Sequence, residues 1–198
     1  MSRIIAGARK GHRLAMPSHS ETRPTSDRVR EAAFSLIADW AGTAGQPAAS
    51  TLTGLSFLDL YAGSGAVALE AASRGAAPVW AVESDRATAE VARRNAAATG
   101  LPVTVYVRAV VPFLATNPAA QLPRNYDVVW ADPPYSLPTE RLEAVLALLL
   151  ADDWVAPRGL VVVERSGRDR APRWSGGVEE CWDRSYGETT LYFAMKGH

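Results

Sequence analysis

From residue 55 onward the chain alternates between two patterns. Short apolar runs recur: "LSFLDLY" at 55–61, "PVWAVES" at 78–84, "VTVYV" at 103–107, "YDVVW" at 126–130 and "GLVVVER" at 159–165. Each has the length and bounding of a buried strand. Between them lie segments that read as helices: "AVALEAASRG", "DRATAEVARRNAAATG", a short turn of helix around "PFLA", and "TERLEAVLALLL". Strand–helix alternation predicts a parallel sheet with helices on both faces. The end of the chain departs from it, because "VEECWDRSY" and "TTLYFAM" are separated only by "GE". That spacing is a hairpin, so the expected fold is a Rossmann-like α/β unit whose seven-stranded, mostly parallel sheet ends in an antiparallel pair.

The first part of the chain follows another plan. "RIIAG" and "HRLAM", joined by "ARKG", predict a short hairpin. "TRPTSDRVREAAFSLIADW" predicts a helix capped by Ser26 or Thr25, with Asp27 in its first turn. Val29, Ala33, Phe34, Leu36 and Ile37 form its apolar stripe. "AGTAGQPAASTLTG", at 41–54, is small, polar and rich in breakers, which marks a linker. The expected organisation is a hairpin-and-helix extension over 1–40, a linker over 41–54 and the α/β domain over 55–198.

Composition fits this picture. A chain of 198 residues that is 47% hydrophobic and 21% charged can build one globular domain with a sizeable core. No apolar run is long enough to cross a membrane. The basic N-terminus lacks the apolar stretch of a signal peptide. Cys181 is the only cysteine, which excludes an internal disulfide and suits a reducing cytoplasm. His12, His19 and His198 are scattered, so no metal site is expected.

Net charge is formally zero but unevenly spread. Residues 1–30 hold seven basic side chains against Glu21 and Asp27, a local charge of +5 that leaves −5 for the rest. A solvated, disordered arm would need no apolar residues between its charges, and this segment has them. The segment therefore reads as a surface for a polyanion. Arg3, Arg9, Lys10, His12, Arg13, Arg23 and Arg28 are its candidate phosphate contacts. Arg23 and Thr25 have a second candidate role, ordering the wall of a neighbouring active site. An alternative basic face surrounds Arg165, Arg168, Arg170 and Arg173.

Gly63 and Gly65 fall between the first strand of the α/β unit and its helix. Ligands of open parallel sheets bind at such strand ends, where glycine lets the backbone approach closely. Residues 63–68 fit a G-x-G-x-x-A fingerprint, and Glu83 closes the next strand 20 residues on, placed to accept from ribose hydroxyls. A tight turn with a capping acid would not explain why both features share one sheet edge. A nucleoside cofactor is expected. Lys10 and Lys196 are the only lysines, so the tyrosine–lysine pair of a nicotinamide enzyme is missing. The terminal antiparallel pair resembles the sheet of class I methyltransferases, which selects S-adenosylmethionine.

"ADPPYSL", at 131–137, follows the strand expected to neighbour the glycine loop. Each proline stiffens the backbone and pushes the residue before it out of the helical region. The Asp132 carboxylate and the Pro133 carbonyl are thus held as a rigid pair of acceptors, with the Tyr135 ring beside them. Such a pair suits an exocyclic amine of a nucleobase. Its N–H groups would be pinned there, and the charge developing on its nitrogen would be stabilised. Tyr135 would stack a base taken out of its helix. A proline-stiffened capping loop is the bland reading, and the position opposite a glycine loop decides against it.

The stretches "RIIAG", "TRPTSDRVREAAFS", "FLDLYAGSGAVALEAASRGA", "AVESD" and "DVVWADPPY" span nearly the whole chain in this order. Together they resemble the bacterial 16S rRNA guanine-N2 methyltransferase family D. "TRPTSDRVRE" is the discriminating stretch, since generic amino-methyltransferases lack it. The resemblance implies a class I methyltransferase fold with an N-terminal hairpin, S-adenosylmethionine as cofactor, and methylation of one guanine N2 in 16S rRNA or the assembling 30S subunit. It assigns Tyr61, Ala62, Gly63, Ser64 and Gly65 to the cofactor loop and Glu83 to the ribose, with Ser84 also against the cofactor. Asp132, Pro133, Pro134 and Tyr135 match the catalytic motif, with Asp132 also against the cofactor. Many relatives carry an acidic or amide side chain beside the adenine, where this chain has Ala109 and Val110, so backbone groups there would make the contact.

The competing readings are a DNA adenine or cytosine amino-methyltransferase, a non-catalytic rRNA-binding assembly factor and, third, a nicotinamide oxidoreductase. The first lacks room for a target-recognition domain, and the intact "DPPY" argues against the second. A cytoplasmic monomer without metal or membrane attachment is expected.

Overall fold

A computed structural model describes residues 2–17, 25–116 and 124–198. The chain opens with β1 (Ser2–Arg3) and β2 (Arg13–Leu14), an antiparallel pair, and then α1 (Asp27–Trp40). The α/β unit follows as β3 (Phe57–Leu60), α2 (Ala66–Ser73), β4 (Val79–Glu83), α3 (Arg86–Thr99), β5 (Val103–Val107), α4 (Val110–Leu114), β6 (Tyr126–Ala131) and α5 (Thr139–Ala151). The chain ends with β7 (Val155–Ser166), β8 (Val178–Tyr186) and β9 (Thr189–Lys196). These last seven strands form one sheet in the order β5-β4-β3-β6-β7-β9-β8. β3 to β7 pair in parallel, and β9 is antiparallel to both β7 and β8. The expected strand–helix alternation and terminal hairpin are both present.

Alternation along each strand divides the core in two. Phe57, Val128, Trp130, Leu160 and Val162 pack with α1 and α2 on one face. Leu58, Leu60, Val129, Val161 and Val163 pack with α4 and α5 on the other. The four central strands are therefore apolar on both sides, as a helix-covered parallel sheet requires.

Ser26 caps α1 and accepts from Val29 N at 3.3 Å. Val29, Ala33, Phe34 and Ile37 are buried as its stripe predicts, and Leu36 is partly buried.

Two regions differ from the sequence pattern. The hairpin strands are only two residues long, with a turn of 3-10 helix over Gly7–Arg9 between them. The reason is a competing acceptor: the N–H groups of Ile5 and Ala6 donate to the Glu70 carboxylate on α2, at 2.7 and 3.0 Å. Gly7 sits at φ +83°, and a Cβ there would lie 1.9 Å from the Ser73 carbonyl oxygen, so only glycine fits this contact. Residues 41–54 run in successive, mostly exposed turns that are pinned to the core by the buried Thr51 and Leu52. Leu52 is fully buried with its N–H bonded to Arg74 O at 2.9 Å, and Thr43 Oγ1 donates to Thr51 O at 2.6 Å.

Candidate active site

The glycine loop leaves β3 at the carboxyl edge of the sheet. Tyr61, Gly63 and Gly65 all adopt positive φ, at 62°, 55° and 78°. The two glycines serve different ends. A Cβ on Gly65 would come within 3.2 Å of the Ala92 Cβ on α3, so this residue lets helix and loop close together. A Cβ on Gly63 would meet nothing within 4 Å, so the loop there faces open space into which a side chain would intrude. Ala62 and Ser64 are buried beneath it.

Glu83, at the end of β4, holds this loop in place. One carboxylate oxygen accepts from Gly63 N at 2.9 Å, and the other accepts from Asp85 N at 2.8 Å and from the Ser84 hydroxyl at 3.3 Å. An ionised carboxylate has about four acceptor positions, so capacity remains for a ligand's hydroxyls. Arg108 N donates to Glu83 O at 2.9 Å, which brings Ala109 and Val110 to the same edge. Ala109 is the N-cap of α4 without a side-chain bond, Val110 is buried and Val111 is exposed. An apolar surface thus adjoins Glu83.

The "DPPY" loop leaves β6, and β6 pairs directly with β3, with Leu60 opposite Ala131. Asp132 N reaches Leu60 O at 3.4 Å, and Leu137 N closes a turn onto Pro134 O at 2.8 Å. The buried Arg165 guanidinium donates to Leu137 O at 3.1 Å and pairs with Asp169 at 2.8 Å, fixing the loop's exit. Pro133 is buried, while the Tyr135 ring is 52% exposed.

Asp132 has a neighbour that the sequence pattern concealed. The Thr25 hydroxyl lies 2.6 Å from Glu164 Oε2, on β7, and 3.3 Å from Asp132 Oδ2. A hydroxyl carries one proton, so both contacts are hydrogen bonds only while one of the two carboxyls is protonated. The electrostatics agree. Burial and then the Glu164 charge push Asp132 well above the usual carboxylate range, and burial pushes Glu164 up to about 7. Asp59 on β3 is raised to about 8 by burial, with a further push from Glu83, although it accepts from Ala68 N at 3.0 Å.

Strand alternation explains this crowding. Asp59 follows Phe57 in phase, Glu83 follows Val79 and Ala81, Asp132 follows Val128 and Trp130, and Glu164 follows Leu160 and Val162. Each of four adjacent strands thus delivers one acid to the α1–α2 face at or near the carboxyl edge. Asp59 and Glu164 escape a motif search because each sits inside an apolar run. The available signal was an acid in phase with core residues of a strand that is otherwise apolar.

The predicted basic residues are less uniform. Lys10, Arg13 and Arg28 are exposed, and His12 is half-buried. Arg3 pairs with Asp27 at 3.2 Å, and Arg9 Nε donates to Thr99 O at the end of α3 at 2.6 Å. Arg23 lies outside the described residues. The alternative basic face is largely neutralised, since Arg165 is buried, Arg168 pairs with Glu188 and Arg170 pairs with Glu140 and Glu143. Among the described residues no group of side chains could hold a metal ion, and no helix is long and apolar enough to cross a membrane.

Parallel strands with a glycine loop and an Asp-Pro-Pro-Tyr loop on neighbouring strand ends, closed by an antiparallel hairpin, define a Rossmann-like class I methyltransferase. Solved structures share this fold. The yhhF protein of Escherichia coli superposes with a TM-score of 0.80 at 27% identity, covering 100% of this chain and 98% of that one. Protein TTHA0928 of Thermus thermophilus gives 0.77 at 29% identity over 100% of both chains. An RNA methyltransferase of Salinibacter ruber, solved with S-adenosyl-L-homocysteine, shares the fold at TM-score 0.63 and 17% identity, covering 89% of this chain and 95% of that one. A family model described as conserved hypothetical protein 95 matches residues 2–195. The chain is 33% identical over 170 residues to ribosomal RNA small subunit methyltransferase D of Escherichia coli K12, which covers 86% of this chain and 77% of the relative. The namesake from Haemophilus influenzae is 30% identical over 165 residues, 82% of this chain and 77% of the relative. The chain belongs to this methyltransferase family.

Proposed function

We propose that the protein transfers a methyl group from S-adenosylmethionine to the 2-amine of a guanine in small-subunit 16S rRNA. The observation that carries this reading is the row formed by Glu83, Asp59, Asp132 and Glu164, with rigid acceptors at Asp132 and Pro133. Asp59 and Glu164 are buried and Glu83 and Asp132 half-buried, and acids crowded in this way favour a cation beside them. S-adenosylmethionine has an ammonium and a sulfonium, so its charge suits this donor set, and its ribose hydroxyls suit Glu83. Tyr61, Ala62, Gly63, Ser64 and Gly65 would cradle it, with Ser84, Ala109 and Val110 at the nucleoside end. When bound, it supplies an electrophilic methyl group on sulfur and leaves as a neutral thioether.

The chain's own residues would do the rest. Asp132 and the Pro133 carbonyl accept the two amine hydrogens, which holds the nitrogen lone pair toward the reacting carbon. Pro134 keeps the turn stiff, and Tyr135 offers its exposed face for stacking. As the new N–C bond forms, the nitrogen becomes acidic. Its proton passes to whichever carboxyl of the Asp132–Thr25–Glu164 group is still ionised, and then to solvent.

The exposed Lys10, Arg13 and Arg28 would meet rRNA phosphates. Arg3 and Arg9 add partly engaged charges, and the extension over 1–40 would be the RNA-binding part. Ribosomal RNA as the substrate class follows from the names of the curated relatives. Incubation of unmodified small subunits, free 16S rRNA and duplex DNA with labelled S-adenosylmethionine, followed by nucleoside analysis, tests the reading. N2-methylguanosine from rRNA is expected. A methylated adenine or cytosine from DNA would overturn it.

A further inference from the structure

A cavity of about 380 Å³ opens beside the Asp132 loop, lined by Ser26 and Val29 of α1, Tyr135, Glu164, and Tyr186 and Thr189 of the terminal hairpin. Its size is in the range of small-molecule pockets and ample for one nucleobase. Glu164 is the acid in its wall that also adjoins Asp132, and it is only 6% exposed. Among the described residues, the hydrogen bond its carboxylate accepts comes from Thr25, on Oε2. For both Thr25 contacts to be hydrogen bonds, the proton shared within the group lies at Oε2 or at Asp132 Oδ2. Oε1 therefore remains an acceptor whether or not the group holds a proton. A buried acceptor in a base-sized cavity, one side chain away from the amine's acceptor, selects what can lie there.

We infer that Glu164 reads the target base, accepting the ring N1–H of a guanine whose 2-amine is held at Asp132. The inference rests on the proposed reaction and deepens it. Guanine presents two donors side by side on that edge, N1–H and the amine. Adenine and cytosine each present a ring nitrogen lone pair next to their amine. Against Glu164 that lone pair meets an acceptor, leaving both groups unpaired in a desolvated site, which is the strong form of discrimination. Thr25 is then a positioning residue: its hydroxyl fixes Oε2, and thereby the angle at which Oε1 faces the cavity.

The test replaces the mapped target guanine in 16S rRNA by 2-aminopurine, which keeps the 2-amine and has a lone pair at N1. Single-turnover transfer to the two RNAs is compared for the wild type, Glu164→Ala, Glu164→Gln and Thr25→Ser. The wild type is expected to prefer guanine by roughly tenfold or more. Glu164→Ala should bring that ratio to within about threefold, chiefly by losing transfer to guanine, while Thr25→Ser keeps it. Glu164→Gln, whose amide can orient either group inward, should fall between. Cooperative urea unfolding should persist in all of them, which reports that each variant is folded. A guanine preference that survives in Glu164→Ala, with both rates falling together, would overturn the inference alone. No transfer to either 2-amine by the wild type would overturn the proposed reaction and the inference with it.

Discussion

The protein buries charge in two places and handles it in opposite ways. Where the N-terminal hairpin docks on α2, Glu70 is fully buried but amply partnered. It accepts from two backbone N–H groups and from Arg74 Nε at 2.8 Å, with Arg30 Nε at 4.0 Å. Arg30, also fully buried, donates to Arg3 O and to Asp27 at 3.0 Å. At the sheet's carboxyl edge, the buried Asp59 and Glu164 crowd the half-buried Asp132, and all three are held above their ordinary pKa although Arg30 and Arg165 partly offset Glu164 and Asp132. The first arrangement closes on itself and has the character of structure. The second has the character of a functional site, where perturbed acids in a cleft are concentrated.

Breaking the paired network should have the largest effect. Glu70→Ala leaves Arg30 and Arg74 without their common anion and frees two hairpin N–H groups, so a stability loss of about 3–5 kcal/mol is expected from urea unfolding. A loss under about 1 kcal/mol would mean that the hairpin's anchoring lies elsewhere. Asp132→Ala should do the reverse. It relieves a crowded acid and leaves folding intact or improved, yet costs methyl transfer about 100-fold or more. An activity within roughly tenfold of wild type, about 1.4 kcal/mol, would remove Asp132 from the chemistry.

Asp59 sharpens the comparison through pH. Its folded pKa, about 8, lies above the ordinary 3.8, so its contribution to stability is full below about pH 4 and is lost as pH rises through 8. Asp59→Asn keeps the neutral form throughout. The fall in urea midpoint between about pH 5 and 8 should therefore be shallower in the variant, and equal slopes would contradict the assignment. The smallest effects belong to the exposed front. Lys10→Ala and Arg13→Ala should leave stability and cofactor affinity alone, and each should flatten the salt dependence of rRNA binding by roughly one unit or less. Unaltered slopes would move the RNA surface away from the hairpin.

Much of this was legible before any coordinates. Period and punctuation marked the strands and helices of 55–198, because each element is long enough for its apolar residues to report a phase. The placement of the glycine loop and "DPPY" at neighbouring strand ends was legible because glycines and prolines punctuate the ends of apolar runs. Tertiary partners were not. Nothing local says that Ile5 and Ala6 give their N–H groups to Glu70, so the hairpin strands came out too long. Leu52 sits among small polar residues, so nothing in 41–54 announced that this linker is pinned to the core there. Arg9 is written like its exposed neighbours and yet is tied to the end of α3. Glu164 was hidden in "GLVVVER" because an acid ending an apolar run is indistinguishable from a strand terminus until the neighbouring strand supplies Asp132.

The central claim is that the row of acids receives a cationic methyl donor. It is tested most directly by calorimetric titration near pH 7 in buffers of differing ionisation enthalpy, comparing S-adenosylmethionine with S-adenosylhomocysteine, whose sulfur is an uncharged thioether. A cation lowers the pKa of carboxyls it approaches, so binding of S-adenosylmethionine should release protons, and clearly more than binding of the thioether. Equal proton release for the two ligands, or none for either, would contradict the account.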